Sequence, residues 1–324
     1  MKGMDIIMKN SYIVDGHCDS LNNFVNNDRT LKDPAAGGHW DLQRARDTGV
    51  SLQFLVAFIE TKYKPNRSLQ RGLQLIEGAH RFIANNSDQV FLVQGKLDLE
   101  QIPDPTRLGI LLSVEGGEIL GEDLFMLDII FKLGVRALGL TWNQRNALAA
   151  GVGEADTHLK LSNFGQEVVQ RMNKLGMIVD VSHLNEAGFW HVLEVSKDPI
   201  AATHSCAKAL CVHPRNLTDQ QLRALGRHKG VVGVNFYPRF LKETGGATRD
   251  DVVRHICHIA EVAGVETVGL GSDFDGIEET PEGLGHVGDY SYLLDDLIKT
   301  GFSSREVEQI MGRNFMRLLS DVLK

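Results

Sequence analysis

The strongest constraint on how this chain folds is an alternation. Eight short apolar runs rich in β-branched residues recur along its 324 residues, with helical patterns between them. They span 12–15, 50–59, 108–114, 135–140, 178–181, 199–203, 231–236 and 267–271, and 90–94 reads as an added strand. Short apolar runs without polar alternation are strands buried on both faces, as in parallel sheets. Residues 177–205 show the unit most plainly: a strand at 178–181, a helical segment at 185–196, a strand at 199–203. A strand, a helix and a strand within about thirty residues make a βαβ crossover. Eight such runs predict an α/β fold, a single (β/α)8 TIM-type barrel over residues 1–324, with its active groups at the C-terminal ends of the strands. An open doubly wound sheet is the competing architecture. It would gather its polar site at one switch point, whereas here polar residues end the first, third, fifth, sixth and eighth runs.

Composition narrows the partners. A hydrophobic share of 43% supports a sizeable core. The net charge of −8 comes without a basic cluster, which argues against nucleic acid and anionic membrane surfaces. No Gly-rich phosphate motif follows a strand, so a nucleotide fold has no support. Cys18, Cys206, Cys211 and Cys257 lack CxxC spacing, so they read as neither a disulfide framework nor a structural zinc site, and a reducing cytoplasm is expected. Residues 1–10 carry a three-residue apolar run broken by charges, which reads as no secretion signal. Residues 315–324 read as an amphipathic helix, not an anchor, and no apolar run approaches a membrane span.

The chemistry sits where the runs end. His17-x-Asp19 follows the first run, and residues two apart on an extended segment point the same way. Glu115 follows the third run before two glycines, and it either caps the next element or faces the barrel mouth. His183 and His204 follow consecutive strands of one βαβ unit and are expected side by side on one rim. Asp273 ends the last run and is expected to point inward, while Asp275-Gly276 reads as a turn. One zinc needs three or four protein ligands. This set has a surplus, which suggests two ions bridged by Glu115, with Asp273 handling protons. Arg215 lies on the same rim and reads, by residue type alone, as a surface salt bridge. His255-x-x-His258 has metal-like spacing but no third ligand, and reads as structural. His191 reads as an outer-helix residue, Cys18 as pointing away from its neighbours, and residues 37–40 as a mobile rim loop or a turn.

In order along the chain stand Asp15-Gly-His17-x-Asp19, Ser113-Val-Glu115-Gly-Gly, Asp180-Val-Ser-His183, Thr203-His204-Ser205, Pro214-Arg215-Asn216-Leu217 and Gly271-Ser-Asp273-Phe-Asp275-Gly276. This set resembles the zinc dipeptidases of the membrane (renal) dipeptidase family, among the amidohydrolase-type barrels. The resemblance implies a metallodipeptidase using a zinc-bound hydroxide on free dipeptides. Zn2+ would be held by His17 and Asp19 on one side and His183 and His204 on the other, with Glu115 bridging. It implies Asp273 as acid/base, Arg215 on the dipeptide carboxylate, and a homodimer, and it leaves open whether a C-terminal D-residue is accepted. One position departs. Mammalian-type members carry a histidine where this chain has Trp142, and an indole N–H only donates. Oxyanion stabilisation then falls to zinc, Trp142 or Asn143. Two competing functions remain: a barrel hydrolase of N-acyl amino acids, cyclic amides or lactones, and a non-catalytic metabolite- or metal-binding barrel.

Overall fold

Every strand expected from the alternation forms. The structure, a computed structural model, describes residues 12–102 and 104–324; residues 1–10, read above for a leader, lie outside the described residues. The strands are β1 (Ile13–Cys18), β2 (Val50–Phe58), β3 (Val90–Leu92), β4 (Leu108–Glu115), β5 (Val135–Gly139), β6 (Ile178–Asp180), β7 (Ala201–Ser205), β8 (Val231–Val234) and β9 (Val268–Leu270). All pair in parallel, in the order β2-β1-β9-β8-β7-β6-β5-β4-β3. A further pairing, Leu52↔Gly109 through Phe58↔Glu115, joins β2 to β4 and closes the ring. Eight strands make the barrel, and β3 is the added strand, paired to the first residues of β4 below β5.

Alternation along the strands divides their side chains. Val14, Leu52, Phe54, Leu111, Ala137, Ile178, Ala201 and Val231 belong to an inner cluster. Ile13, Leu55, Leu112, Leu138, Val179, Ala202 and Val232 pack outward under the helices. The inner cluster is completed by Phe315, Leu318, Leu319 and Val322 of the helix Asn314–Val322. That helix is the amphipathic segment read at 315–324, and it stoppers the inner cluster. Phe315 sits against Gly16 and Gly269, where an added Cβ would come within 2.5 Å of its ring. A side chain at either glycine would expel the stopper. Burying Phe315 is worth about 1.5–3 kcal/mol.

Local signals explain the helix starts. Thr218 caps Asp219–Arg227 in a reciprocal box with Gln221. Asn185 Oδ1 accepts from Gly188 N–H at 2.9 Å to start Glu186–Val195. Ser20–Val25, Leu42–Thr48 and Pro238–Leu241 were not expected. At four to seven residues they are too short to display a helical period. No helix among the described residues is long and apolar enough to cross a membrane.

Candidate metal centre

Three of the expected ligands ride on strands, one residue beyond where the apolar runs stop or more. His17 is in β1, Glu115 ends β4 and His204 is in β7. Asp19 is the first residue past β1. His183 and Asp273 lie in the turns after β6 and β9, at φ +63° each, and Asp275 has φ +65°. Non-glycine residues in this region store strain of about 1–3 kcal/mol, which accumulates at functional sites. Here three of them stand on one rim.

The side chains converge. Glu115 Oε1 lies 2.9 Å from His183 Nε2 and 3.5 Å from His204 Nε2. The two Nε2 atoms are 2.9 Å apart. His17 Nε2 lies 3.3 Å from Asp19 Oδ2, 3.7 Å from Glu115 Oε2 and 3.8 Å from Asp273 Oδ1. Glu115 therefore turns one oxygen to each half. His17 Nε2, Asp19 Oδ1 and Glu115 Oε1 are buried with no hydrogen-bond partner. Orphaned buried polar atoms are costly unless something else satisfies them. Imidazole nitrogens and carboxylate oxygens together suit a borderline cation such as zinc, so the residues present fit a metal centre.

The protonation states agree. Burial acts first on His183 and on His204 and holds both well below the usual histidine range, with Arg215 and His17 adding to it respectively. Both rings stay neutral, as ligands must. Burial would also lower His17, but Asp19, Glu115 and Asp273 overcome it and raise the ring to about 10. Burial would raise Glu115, yet His17, His204 and Arg215 bring it down to about 2. Without a cation, His17 holds a proton where the cation would sit. A proton bound at neutral pH and displaced on loading makes metal affinity climb with pH. Uptake by the metal-free chain is expected to release protons at about pH 7 and to weaken on acidification, measurable by calorimetry in buffers of different ionisation enthalpy.

Other expected residues also reach the mouth. A cavity of about 660 Å³ opens there, lined by Asp19, Glu115, Trp142, Asn143, Arg215 and Asp273 among others. Arg215 is 5% exposed and makes no ion pair among the described residues, so it is no surface salt bridge. It donates to His204 O at 2.9 Å and to Ser205 Oγ at 3.4 Å, and its buried Nε has no partner. Trp142 packs beside Phe58 and the His183 ring, with Lys64 Nζ 5.3 Å from its centre. Asn143 turns to His183, its Oδ1 2.7 Å from Nδ1.

A family model described as membrane dipeptidase, peptidase family M19, matches residues 1–324. The chain belongs to the M19 dipeptidase family. An uncharacterised dipeptidase of Schizosaccharomyces pombe is 36% identical over 296 residues, covering 86% of this chain and 71% of its own length. The dipeptidase aclJ of Aspergillus oryzae is 33% identical over 88% of this chain and 70% of its own. Among solved structures, a metallo peptidase from Rhodobacter sphaeroides, held with a phosphinate mimic of the dipeptide L-Ala-D-Ala, superposes with a TM-score of 0.90 at 26% identity over 97% of this chain and 99% of its own. An M19 dipeptidase described as a metallo peptidase gives 0.91 at 27% identity, over the same shares of the two chains. This M19 chain is accordingly a metallodipeptidase, a hydrolase that depends on a metal.

Within this M19 barrel the outlying candidates take structural parts. His255 accepts Ala207 N–H at Nδ1, 3.0 Å, and its Nε2 meets Leu241 O at 3.1 Å, a structural role. Asp275 occupies a turn, and its carboxylate also anchors the 37–40 loop through His39 N–H at 2.8 Å and grips Arg29. Asn235, after β8, was missed: its Nδ2 donates to Asp273 Oδ2 at 2.8 Å. Asp15 stood only within a motif, yet it accepts from Ser272 N–H and Oγ and from Tyr290 OH at 2.7–2.9 Å, tying β1 to the turn carrying Asp273. A carboxylate inside an apolar run was the signal available for it.

Proposed function

We propose that this chain hydrolyses the single peptide bond of free dipeptides, including those with a C-terminal D-residue, at a centre for two zinc ions. His17 and Asp19 would hold one ion, His183 and His204 the other, and Glu115 both. The observation that carries this reading is Glu115 turning one oxygen to His183 and His204 and the other to His17. Zinc there would supply Lewis acidity to the scissile carbonyl and to the attacking water.

The remaining steps belong to the chain's own side chains. Asp273 takes the proton of the attacking water at Oδ1 and returns it to the leaving amine. Burial first, then Glu115, raises its carboxyl against the opposing pull of His17, a state suited to giving the proton back. Asn235 holds the other oxygen. Arg215 receives the dipeptide carboxylate with the Nε that has no other partner, as guanidinium forks do. Trp142 and Phe58 wall the cavity, and Asn143 orients His183. Acceptance of a D-residue is supported by the L-Ala-D-Ala mimic bound to the Rhodobacter relative.

The test is steady-state hydrolysis of L-Ala-L-Ala, L-Ala-D-Ala, a tripeptide and an N-acyl amino acid, with and without chelator, alongside a metal count. Both dipeptides are expected to be cleaved and the tripeptide left intact. The stripped chain should be inactive and recover with zinc, at about two ions per chain. Turnover that survives complete metal removal overturns the reading.

A further inference from the structure

Beneath the histidines lie two buried polar residues to which the proposed reaction assigns no part. Asp180 on β6 and Thr203 on β7 share strand parity with Ile178 and Ala201 of the inner cluster, so both point into the barrel. They are 3% and 1% exposed. Asp180 Oδ1 accepts the backbone N–H groups of Ser182 at 2.9 Å and Thr203 at 3.0 Å. Its Oδ2 accepts the Thr203 hydroxyl at 2.6 Å. That contact uses the only proton the hydroxyl has.

What remains on Thr203 Oγ1 is lone pairs; two imidazoles approach them, and the Ser182 hydroxyl stands at 3.4 Å. His204 Nδ1 lies at 3.0 Å and His17 Nδ1 at 3.5 Å. An oxygen whose proton is committed elsewhere can only accept, so each ring must bring its proton on Nδ1. His204 then presents a bare Nε2 to the mouth, and His17 would do so once a cation displaces its second proton. The alternative has a cost for metal binding. A His204 ring protonated on Nε2 would donate to His183 Nε2, 2.9 Å away, and occupy both lone pairs.

We propose that Asp180 and Thr203 are a positioning pair that sets the tautomers of His204 and His17 together, tying the two halves of the metal centre through one hydroxyl. The inference rests on the reading of these rings as zinc ligands. Partners of this kind, one bond behind a metal ligand, typically contribute about 10–100-fold to metal affinity. Here a single hydroxyl serves one ligand from each half, so its loss weakens both.

The experiment uses the full chain and zinc itself. Thr203→Val removes the hydroxyl at nearly constant shape, and Thr203→Ser keeps it. In competition with a chromophoric chelator, Thr203→Val is expected to weaken both zinc ions by about 10–100-fold, and Thr203→Ser to recover most of that loss. Asp180→Asn, which lets the hydroxyl turn, should behave like the valine variant. Long-range proton–nitrogen spectra of the metal-free wild-type chain should place the His204 proton on Nδ1, which needs no variant to fold. A His204 proton on Nε2, or a folded Thr203→Val chain binding two zinc ions as the wild type does, overturns the proposal. Weakening of one ion alone overturns the coupling. A wild-type chain that binds no zinc sinks the metal reading instead, and the spectra still decide the tautomer.

Discussion

Replacing Asp273 by Asn is expected to lower kcat by about 10²–10⁴-fold while leaving the metal content and the fold in place. Asp273 Oδ2 accepts from Asn235 Nδ2 at 2.8 Å. An asparagine side chain can offer its own amide oxygen to that donor, so the local network survives. What is lost is the carboxylate oxygen Oδ1, the proposed proton acceptor, 3.8 Å from His17 Nε2. The readouts are kcat on L-Ala-L-Ala and zinc content by elemental analysis. A loss of turnover that merely tracks a loss of zinc would make Asp273 a ligand, not the base. The pH sign follows from its raised carboxyl. A base works deprotonated, so kcat/KM in the wild type should fall on acidification through that raised value, and the Asp273→Asn chain should lose this limb.

Replacing Arg215 by Met is expected to reduce kcat/KM on free dipeptides by about 2–5 kcal/mol, the usual cost of removing one partner of a buried charge pair. The long apolar side chain keeps much of the volume. The same substitution should cost little on a dipeptide amide, which has no carboxylate for the guanidinium to grip. Equal losses on both substrates would return Arg215 to a purely structural part. It has one as well: its bond to the His204 carbonyl disappears, and an unsatisfied buried carbonyl costs about 1–3 kcal/mol. A thermal melt separates that stability effect from the kinetic one.

The residues differ in how far they could be read before the fold was in hand. His183 and His204 were placed together because a βαβ crossover returns the chain to the neighbouring strand, so consecutive strand ends must be adjacent. Their nitrogens do meet. Glu115 was ambiguous between a cap and a mouth-facing carboxylate, and strand parity through β4 resolves it. Asn235 left no trace, and Thr203 stood only within a motif. Each is a small polar residue at the end of a run, and its importance comes from what lies opposite it. Asn143, one of three candidates for oxyanion stabilisation, lines the cavity and also sets its Oδ1 2.7 Å from His183 Nδ1, a contact between distant loops that no local pattern announces. The helix Asn314–Val322 showed its apolar face in sequence, but not that it would enter the barrel.

The amino-acid order by itself determined the alternating strands and helices, hence the parallel closed sheet, and it determined which donor types stand at the strand ends. Those follow from local rules: short apolar runs buried on both faces, capping, and the right-handed return of each crossover. Only the tertiary structure decided which oxygen of Glu115 faces which histidine, where the proton of Thr203 goes, and that Gly16 and Gly269 make room for Phe315. These are contacts between residues up to about 300 positions apart, and no local pattern encodes the sub-ångström placement on which a hydrogen bond or a metal bond depends.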